Sequence, residues 1–415
     1  MFLIIMFMVI IKRIQDERKF SKFGDWVYIC GRRKTGKTFF VKNFTKWDEY
    51  FFVRKDRTVF DKEGNHLGYE TFFELFKRDL GKKRIIIDEF HRLPPAFFDY
   101  LHYSGKKGKL IVVSSTLWLS KKLLGKGSPL LGLFPLMIFG LIDERDVIKA
   151  LKSHVREKEL IEASVYLREP ILAPPYRKPI RKYLAEYLEN NKLAIKELIG
   201  EIFSEEERKL SQVYEGILRA VASNKTVSTE ISSFLYSKRL IPKDNPGLIQ
   251  NYLNVLVKIG LLRKLEVYKK KKFRYEHVSP LLDLHFYLDE KYNYIEGEIS
   301  NKFIEKVVKE KIGFHVEKFF REFLSKLLGM KCAVLEEPEV DIALIEFKKI
   351  KILGEVKWKD SLTKKEIEKI REKLNFFDGK KIIIVPNKRT IKIEGINVMD
   401  VSDFVKLASI KNPKI

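Results

Sequence analysis

Apolar residues fall along this chain in two kinds of run. Short unbroken ones at residues 26–30, 84–88 and 110–113 are rich in Val and Ile, and read as strands buried on both faces, as in a parallel sheet. The others recur at three- and four-residue spacing and predict helices. One, at 39–44, follows the first strand. A longer helical region at 144–205 carries Lys and Glu on its polar positions and breaks at Pro170 and at Pro174 and Pro175. Helices are expected again at 209–222, at 228–237 opened by Ser228, and at 246–259 closed by Gly260. Two strand-like runs, 261–268 and 273–277, then flank four consecutive lysines and read as a hairpin with a basic tip. From about Ile312 the order becomes helix (316–328), strand (340–346), strand (350–358), helix (363–377) and strand (381–385). No internal repeat, heptad or low-complexity tract is present.

Composition narrows the class. A length of 415 residues suits two to three domains. With 45% hydrophobic and 33% charged residues the chain can build real cores, which excludes a disordered protein. Lys plus Arg number 81 against 56 for Asp plus Glu, and the resulting +25 favours a polyanionic partner, nucleic acid or a membrane surface. Glutamine occurs only at Gln15, Gln212 and Gln250 while Lys and Glu dominate the polar positions, a pattern of proteins from hot environments. Cys30 and Cys332 have no CxxC partner or nearby His cluster, so no disulfide framework or zinc site is expected and a reducing cytoplasm fits. The apolar run 1–11 stops at Lys12 and Arg13, short of the roughly 20 residues a membrane span needs. It is expected to be a buried strand or an upstream-assigned start, and no membrane partner is expected.

The first chemical signal is Gly31, Arg32, Arg33, Lys34, Thr35, Gly36, Lys37 and Thr38, a Gly-x-x-x-x-Gly-Lys-Thr loop between a strand and a helix. There the glycines let backbone amides curl round phosphates, Lys37 reaches the β and γ oxygens, the Thr38 hydroxyl ligates Mg²⁺, and Phe39 completes the ATP-binding set. The second strand ends in Asp88 and Glu89. Asp88 is expected to hold the Mg²⁺ shell through water and Glu89 to polarise the attacking water, which points to hydrolysis rather than binding alone. The third strand runs into Ser114, Ser115 and Thr116, where Ser115 is either a γ-phosphate sensor or part of a hydroxyl-rich turn. His91 gives Asp-Glu-Phe-His, similar to a helicase box, but the rest of that motif set is absent and a packing or hydrogen-bonding role is expected.

These pieces, with Ser128, Pro129, Leu130, Leu131 and Gly132, resemble the archaeal P-loop ATPases of the STAND/AAA-related group. The resemblance implies a helical lid after the core and a γ-phosphate-sensing arginine. In that family an arginine commonly follows the Ser-Pro-Leu-aromatic-Gly segment; here Leu133 stands there, leaving Arg145, Arg156 or an arginine supplied in trans within a homo-oligomer. The resemblance continues through the helix, helix, helix, hairpin order of a winged helix to the segment 279–286, like the family's linker. A winged helix can set its third helix in a major groove and its tip on phosphates, so Lys243, Gln250, Asn251, Asn254, Lys258, Lys269, Lys270, Lys271 and Lys272 are the candidate DNA contacts. The other reading is a docking module with a solvated lysine turn.

In the C-terminal part, Glu355 and Lys357 share one strand face beside Asp341 of the hairpin partner. Asp341 and Glu355 would ligate Mg²⁺, Lys357 would orient water or neutralise a scissile phosphate, and Glu317 would complete the shell from the preceding helix. This resembles the PD-(D/E)XK nuclease fold; the alternative is a salt-bridged face pairing Glu355 with Lys357 or a neighbouring lysine.

The expected fold class is therefore α/β: a P-loop NTPase core with a parallel sheet (1–143), a helical lid (144–205), a winged-helix domain (206–278), a helical linker (279–311) and a restriction-endonuclease-like domain (312–415). The expected function is a Mg²⁺-dependent ATPase coupled to DNA, with a nuclease-like site. The alternative is a nucleotide-switched regulator whose later domains only dock.

Overall fold

Seven strands, β1 (Trp26–Cys30), β2 (Glu49–Val53), β3 (Val59–Phe60), β4 (His66–Leu67), β5 (Arg84–Asp88), β6 (Lys109–Ser114) and β7 (Leu136–Ile138), form one sheet in the order β4-β3-β2-β5-β6-β1-β7. The computed structural model describes residues 10–389 and 391–410. The β2/β5, β5/β6, β6/β1 and β1/β7 pairs are parallel, and β3 and β4 add an antiparallel hairpin at one edge. Continuous apolar runs suit strands covered on both faces. Tyr28, Ile87 and Val112 pack with Phe72, Phe76 and Phe97 on one face, while Ile29, Ile86 and Val113 pack with Phe40 and Met137 on the other. The covering helices are α1 (Ile14–Phe20), α2 (Lys37–Phe44), α3 (Tyr69–Asp79), α4 (Pro95–Ser104) and α5 (Trp118–Leu123). Because β6 lies between β5 and β1, the ends of three strands bring the phosphate loop, the acid pair and Ser115 together. Of the N-terminal apolar run, residues 1–9 lie outside the described residues; Ile10 is exposed and Ile11 buried.

The helical region is α6 (Glu144–Leu151), α7 (Glu157–Tyr166) and α8 (Ile180–Glu205), with Pro170, Pro174 and Pro175 in the non-helical stretch before α8. Next come α9 (Gln212–Ala222), α10 (Ser228–Ser237) and α11 (Gln250–Lys258), then the antiparallel pair β8 (Leu262–Glu266) and β9 (Phe273–His277). The predicted starts at 209 and 246 are three and four residues early, because Ser211 and Ile249 stand as the N-caps. Helix α12 (Pro280–Tyr292) is capped by Ser279, whose hydroxyl accepts from the Leu282 amide.

Helix α13 runs unbroken from Asn301 to Leu328, so the domain boundary expected at 311/312 falls inside a helix and is corrected. Gly313 sits mid-helix in open space. A lone glycine costs a helix only about 1 kcal/mol, which packing of α13 on α8, α7 and β11 overrides. Beyond it, β10 (Lys331–Glu336), β11 (Glu339–Glu346), β12 (Lys349–Val356), β13 (Lys380–Ile384) and β14 (Asn397–Met399) form a second sheet in that order. The first three strands are antiparallel, the last three parallel. Helices α14 (Lys364–Asn375) and α15 (Val401–Ser409) complete it. β10, β14 and α15 were not expected from the sequence. One apolar core runs from α6 through α13 to α15, so the later parts are packed as one body rather than strung as separate beads.

Candidate functional site

The loop from Gly31 to Gly36 turns tightly enough to need its glycines. Gly36 has φ +84°, and a Cβ on Gly31 would sit 2.1 Å from the Phe139 carbonyl oxygen. From below, Arg13 holds the loop: its guanidinium donates to the Thr35 carbonyl at 2.7 Å and to that of Gly140 at 2.8 Å, and lies 3.8 Å over the Phe139 ring. Thr35 itself is buried and bonds the Arg32 carbonyl. Lys37 Nζ donates to the same carbonyl at 3.0 Å, and burial pushes its ammonium down to about 8 against the attraction of Glu89 and Asp88.

Thr38 Oγ1 donates to Asp88 Oδ2 at 2.6 Å, and Tyr50 donates to the same oxygen at 2.9 Å. Burial, then the adjacent Glu89 carboxylate, raises the pKa of Asp88. A hydroxyl and a carboxylate side by side at the start of α2 are the hard oxygen donors that fit Mg²⁺. Glu89 follows with φ +56°, which turns its side chain off the strand axis. Its Oε2 accepts from Ser115 Oγ at 2.6 Å. His91 takes the hydrogen-bonding role expected of it: its Nδ1 bonds Ser114 Oγ at 2.8 Å and its Nε2 faces Glu205 at 3.1 Å.

Glu205, the last residue of α8, was missed by sequence reasoning. Its carboxylate accepts from Arg33 at 3.1 Å, Arg92 at 2.9 Å, His91 at 3.1 Å and Ser115 at 3.2 Å. Burial opposes its charge, but the His91 bond and Arg92 hold it down to about 2. Arg32 is likewise tied to Glu169 at 2.5 Å, while Lys34 of the loop is exposed. An acid 172 residues from Arg33 leaves no local signal. The ligand atoms of Glu89, His91 and Glu205 lie within 4.8 Å of one another, but Arg33 and Arg92 already supply the counter-charge. Of the arginines left open, Arg145 is bound by Asp143 at 2.7 Å and Arg156 is exposed at the N-terminus of α7. Beside the loop an apolar cavity of about 300 Å³ is lined by Ile11, Phe39, Phe40, Phe44, Ile142 and Pro174 among others.

The DNA-contact candidates separate into two groups. Asn251, Asn254 and Lys258 form one exposed face of α11, and Lys243 is exposed before it, whereas Gln250 is half-buried and donates to the Pro246 carbonyl. The lysine tip is not a free wing. Tyr268 N donates to Val334 O at 2.9 Å, which docks the hairpin on β10. Lys270 pairs with Glu336 at 3.1 Å and Glu337 at 3.2 Å, and Lys272 with Glu336 at 3.0 Å. Lys269 and Lys271 stay exposed.

In the C-terminal sheet the Ile342↔Gly354 register brings Asp341 beside Glu355, as expected. Asp341 Oδ2 accepts the Val356 amide at 2.8 Å. Burial and then the Asp341 carboxylate push Glu317 up to about 8. Glu355 is paired with Lys357 at 2.8 Å and with Lys373 at 2.5 Å, so both its oxygens face ammonium groups and a metal ion would have to displace one.

Residues 24–131 match a family model described as an AAA domain. That match spans the phosphate loop, the acid pair and Ser115. No curated protein matches the sequence. Among solved structures, the chain is similar to the Walker-type ATPase of Pyrococcus abyssi, at 17% identity and TM-score 0.43 over 67% of this chain and 96% of that one. It is also similar to the ORC2 protein of Aeropyrum pernix in ADPNP and ADP complexes, at 14% identity and TM-score 0.37 over 72% and 91%. A third is a signal transduction ATPase with numerous domains from Pyrococcus horikoshii, at 16% identity and TM-score 0.28 over 76% and 48%.

Proposed function

We propose that this chain is a Mg²⁺-dependent ATPase whose hydrolysis is coupled to DNA. The observation that carries the reading is the Thr38–Asp88 contact of 2.6 Å with Glu89 and Ser115 beside it, at the mouth of a glycine loop whose Lys37 is buried. In this reading Gly31, Arg32, Arg33, Lys34, Thr35 and Gly36 wrap the phosphates, and Phe39 and the apolar cavity take the base. Thr38 and Asp88 would hold Mg²⁺, which would supply charge neutralisation at the phosphates. Glu89 accepts the proton of the water that attacks the γ-phosphorus, and ADP leaves with the bond to its β-phosphate oxygen broken. Ser115 orients Glu89 and reports the γ-phosphate.

The chain after Glu205 supplies the partner surface. Three helices and a hairpin support a winged-helix assignment for 206–278, with Lys243, Asn251, Asn254, Lys258, Lys269 and Lys271 toward DNA. The second sheet, with Glu317, Asp341, Glu355 and Lys357 converging, supports a nuclease-like assignment in which Asp341 and Glu355 would hold a metal ion. A nucleotide-switched regulator remains the second reading, favoured by the lid carboxylate Glu205 lying among the residues that surround Glu89.

The test is ATP hydrolysis with Mg²⁺, with and without duplex and branched DNA. Lys37→Ala should abolish it, and Glu89→Gln should slow it by 10² or more, on the order expected for losing a general base, while trapping bound ATP. Wild-type hydrolysis surviving either change refutes the ATPase assignment. Several-fold stimulation by DNA supports the coupled reading; slow turnover indifferent to DNA with retained nucleotide supports the switch.

A further inference from the structure

We propose that Arg33 and Arg92 are the γ-phosphate-sensing arginines of this chain, supplied in cis, and that Glu205 is the lid carboxylate they exchange for the γ-phosphate. The proposal rests on the nucleotide-binding reading above and assigns the residues which that reading lacks.

Four groups from three separate elements converge on one carboxylate: Arg33 from the phosphate loop, His91 and Arg92 from the turn after β5, and Ser115 from the end of β6. All three elements also carry groups of the nucleotide site in the reading above: Lys37 follows the phosphate loop, Glu89 follows β5, and Ser115, which follows β6, bonds Glu89 at 2.6 Å. Arg92 NH2 is 3.9 Å from Glu89 Oε2 and 2.9 Å from Glu205 Oε1. A base and the phosphorus it serves are separated by one water, so Arg92 this close to Glu89 is within reach of the phosphoryl oxygens, and Arg33 joins it through the shared Glu205 carboxylate. Guanidinium groups suit them, because their forked donors match carboxylate and phosphate oxygens alike.

Charge makes the two occupants exclusive. The two guanidiniums are balanced by Glu89 and Glu205, with the half-exposed Glu201 also on Arg33 at 2.8 Å. A γ-phosphate arriving beside these carboxylates places like charges together in a partly buried ring, which is relieved when Glu205 withdraws. The end of α8 can release this side chain without leaving the core. Glu206, the next residue, is anchored independently through the amides of Leu117, Trp118 and Leu119 at the start of α5. Glu205 is thus a positioning residue that acts through the arginines, and Arg145 and Arg156 are not needed for sensing.

The test compares a non-hydrolysable ATP analogue with ADP by titration of the full chain, alongside kcat. Glu205→Gln should tighten the triphosphate analogue several-fold over wild type while ADP affinity holds. Arg92→Ala and Arg33→Ala should each erase part of the triphosphate preference, and Arg92→Ala should lower kcat by about tenfold or more, at the modest end for an arginine acting on transferring phosphate. Arg92→Lys should restore part of both. The thermal midpoint of each variant reports that the chain is folded, and ADP affinity does so in addition for the Glu205 and Arg92 variants. A Glu205→Gln protein that loses triphosphate and ADP affinity alike, or arginine variants that keep the full triphosphate preference, overturn the proposal. A wild-type protein that binds neither nucleotide overturns the underlying reading instead.

Discussion

Three histidines make the middle of the chain sensitive to mild acid. His277 in β9, His285 in α12 and His315 in α13 are buried, and burial holds their imidazoles down at about 4, 3 and 4. His277 Nε2 faces the Leu218 carbonyl at 2.9 Å, His285 contacts the Tyr294 hydroxyl, and His315 bridges Tyr166 at 2.8 Å and Asp283 at 2.9 Å. In an unfolded chain all three titrate near 6.5. Between that value and about 4 the unfolded state takes up protons that the folded state refuses, so the histidine contribution to stability falls as pH falls through this window and is flat above it, while Glu317, held up to about 8, acts in the opposite sense. At pH 5 each histidine costs about 2 kcal/mol, and the three about 6 kcal/mol, against a typical domain stability of roughly 5–15 kcal/mol. Asp283 works in a different range. Burial opposes its charge, yet Lys318 and Lys311 hold it well below the usual carboxylate value, so its contribution is lost only on the acid side of that value. The assay is hydrogen exchange at pH 7.5, 6 and 5, corrected for intrinsic rates, with the thermal midpoint at each pH. Protection in α12 and α13 should drop first, and His315→Gln or His285→Gln should each remove about a third of the histidine contribution, raising stability at pH 5 relative to pH 7.5 by about 2 kcal/mol over wild type. Variants that keep the full wild-type difference between pH 7.5 and 5 refute the reasoning.

Other outcomes follow from single contacts. Gly31→Ala places its Cβ 2.1 Å from the Phe139 carbonyl oxygen, next to the bond from Phe139 N to Cys30 O at 2.6 Å. Moving that backbone should cost about 1–3 kcal/mol and weaken ADP binding; an unchanged ADP titration would show the loop is looser than argued. In DNA binding, Lys271→Glu and Lys258→Glu should each lower affinity and reduce the salt slope by about one, whereas Lys270→Glu should chiefly loosen the hairpin from β10 because its charge is spent on Glu336 and Glu337. Asp341→Ala should remove any metal-dependent DNA cleavage and leave ATP hydrolysis intact. No cleavage by the wild type with any divalent metal reduces the second sheet to a binding role.

What was readable in the sequence was what local chemistry dictates. Strand, glycine loop and helix at 26–44 carry their own geometry, as does the acid pair that ends β5, because a loop around phosphates tolerates few residue types. The Asp341 and Glu355 pairing was readable because strand periodicity and a short hairpin fix which residues face each other. Glu205, Glu169 and Arg13 were not readable: each reaches the phosphate loop across a long stretch of chain, and an acid at a helix end looks like any solvated residue. The docked hairpin was hidden for the same reason. Four lysines in a row look free until Glu336 and Glu337 are placed beside them. β10 and β14 escaped notice since one follows directly on a long helix and the other has three residues.

Helix α13 explains why the parts resist division. Along its length Lys311 donates to the Ala222 carbonyl of α9 at 2.9 Å, His315 reaches α7 and α12, and Arg321 pairs with Glu276 of β9 at 2.5 Å. Glu322 binds Arg168 at 2.9 Å and Arg263 of β8 at 2.6 Å, and Lys326 binds Glu144 of α6 at 2.9 Å. Between these lies Glu317, beside the Asp341 carboxylate. Buried pairs of this kind cost several kcal/mol when one partner is removed, since the other charge is left stranded in the core. A rigid helix pinned at α6, α9, α12 and the hairpin therefore cannot shift at one pin alone. α8 packs along the same helix, and β11 of the second sheet packs on it too, so the helical region and the second sheet are joined through α13 rather than through a flexible linker.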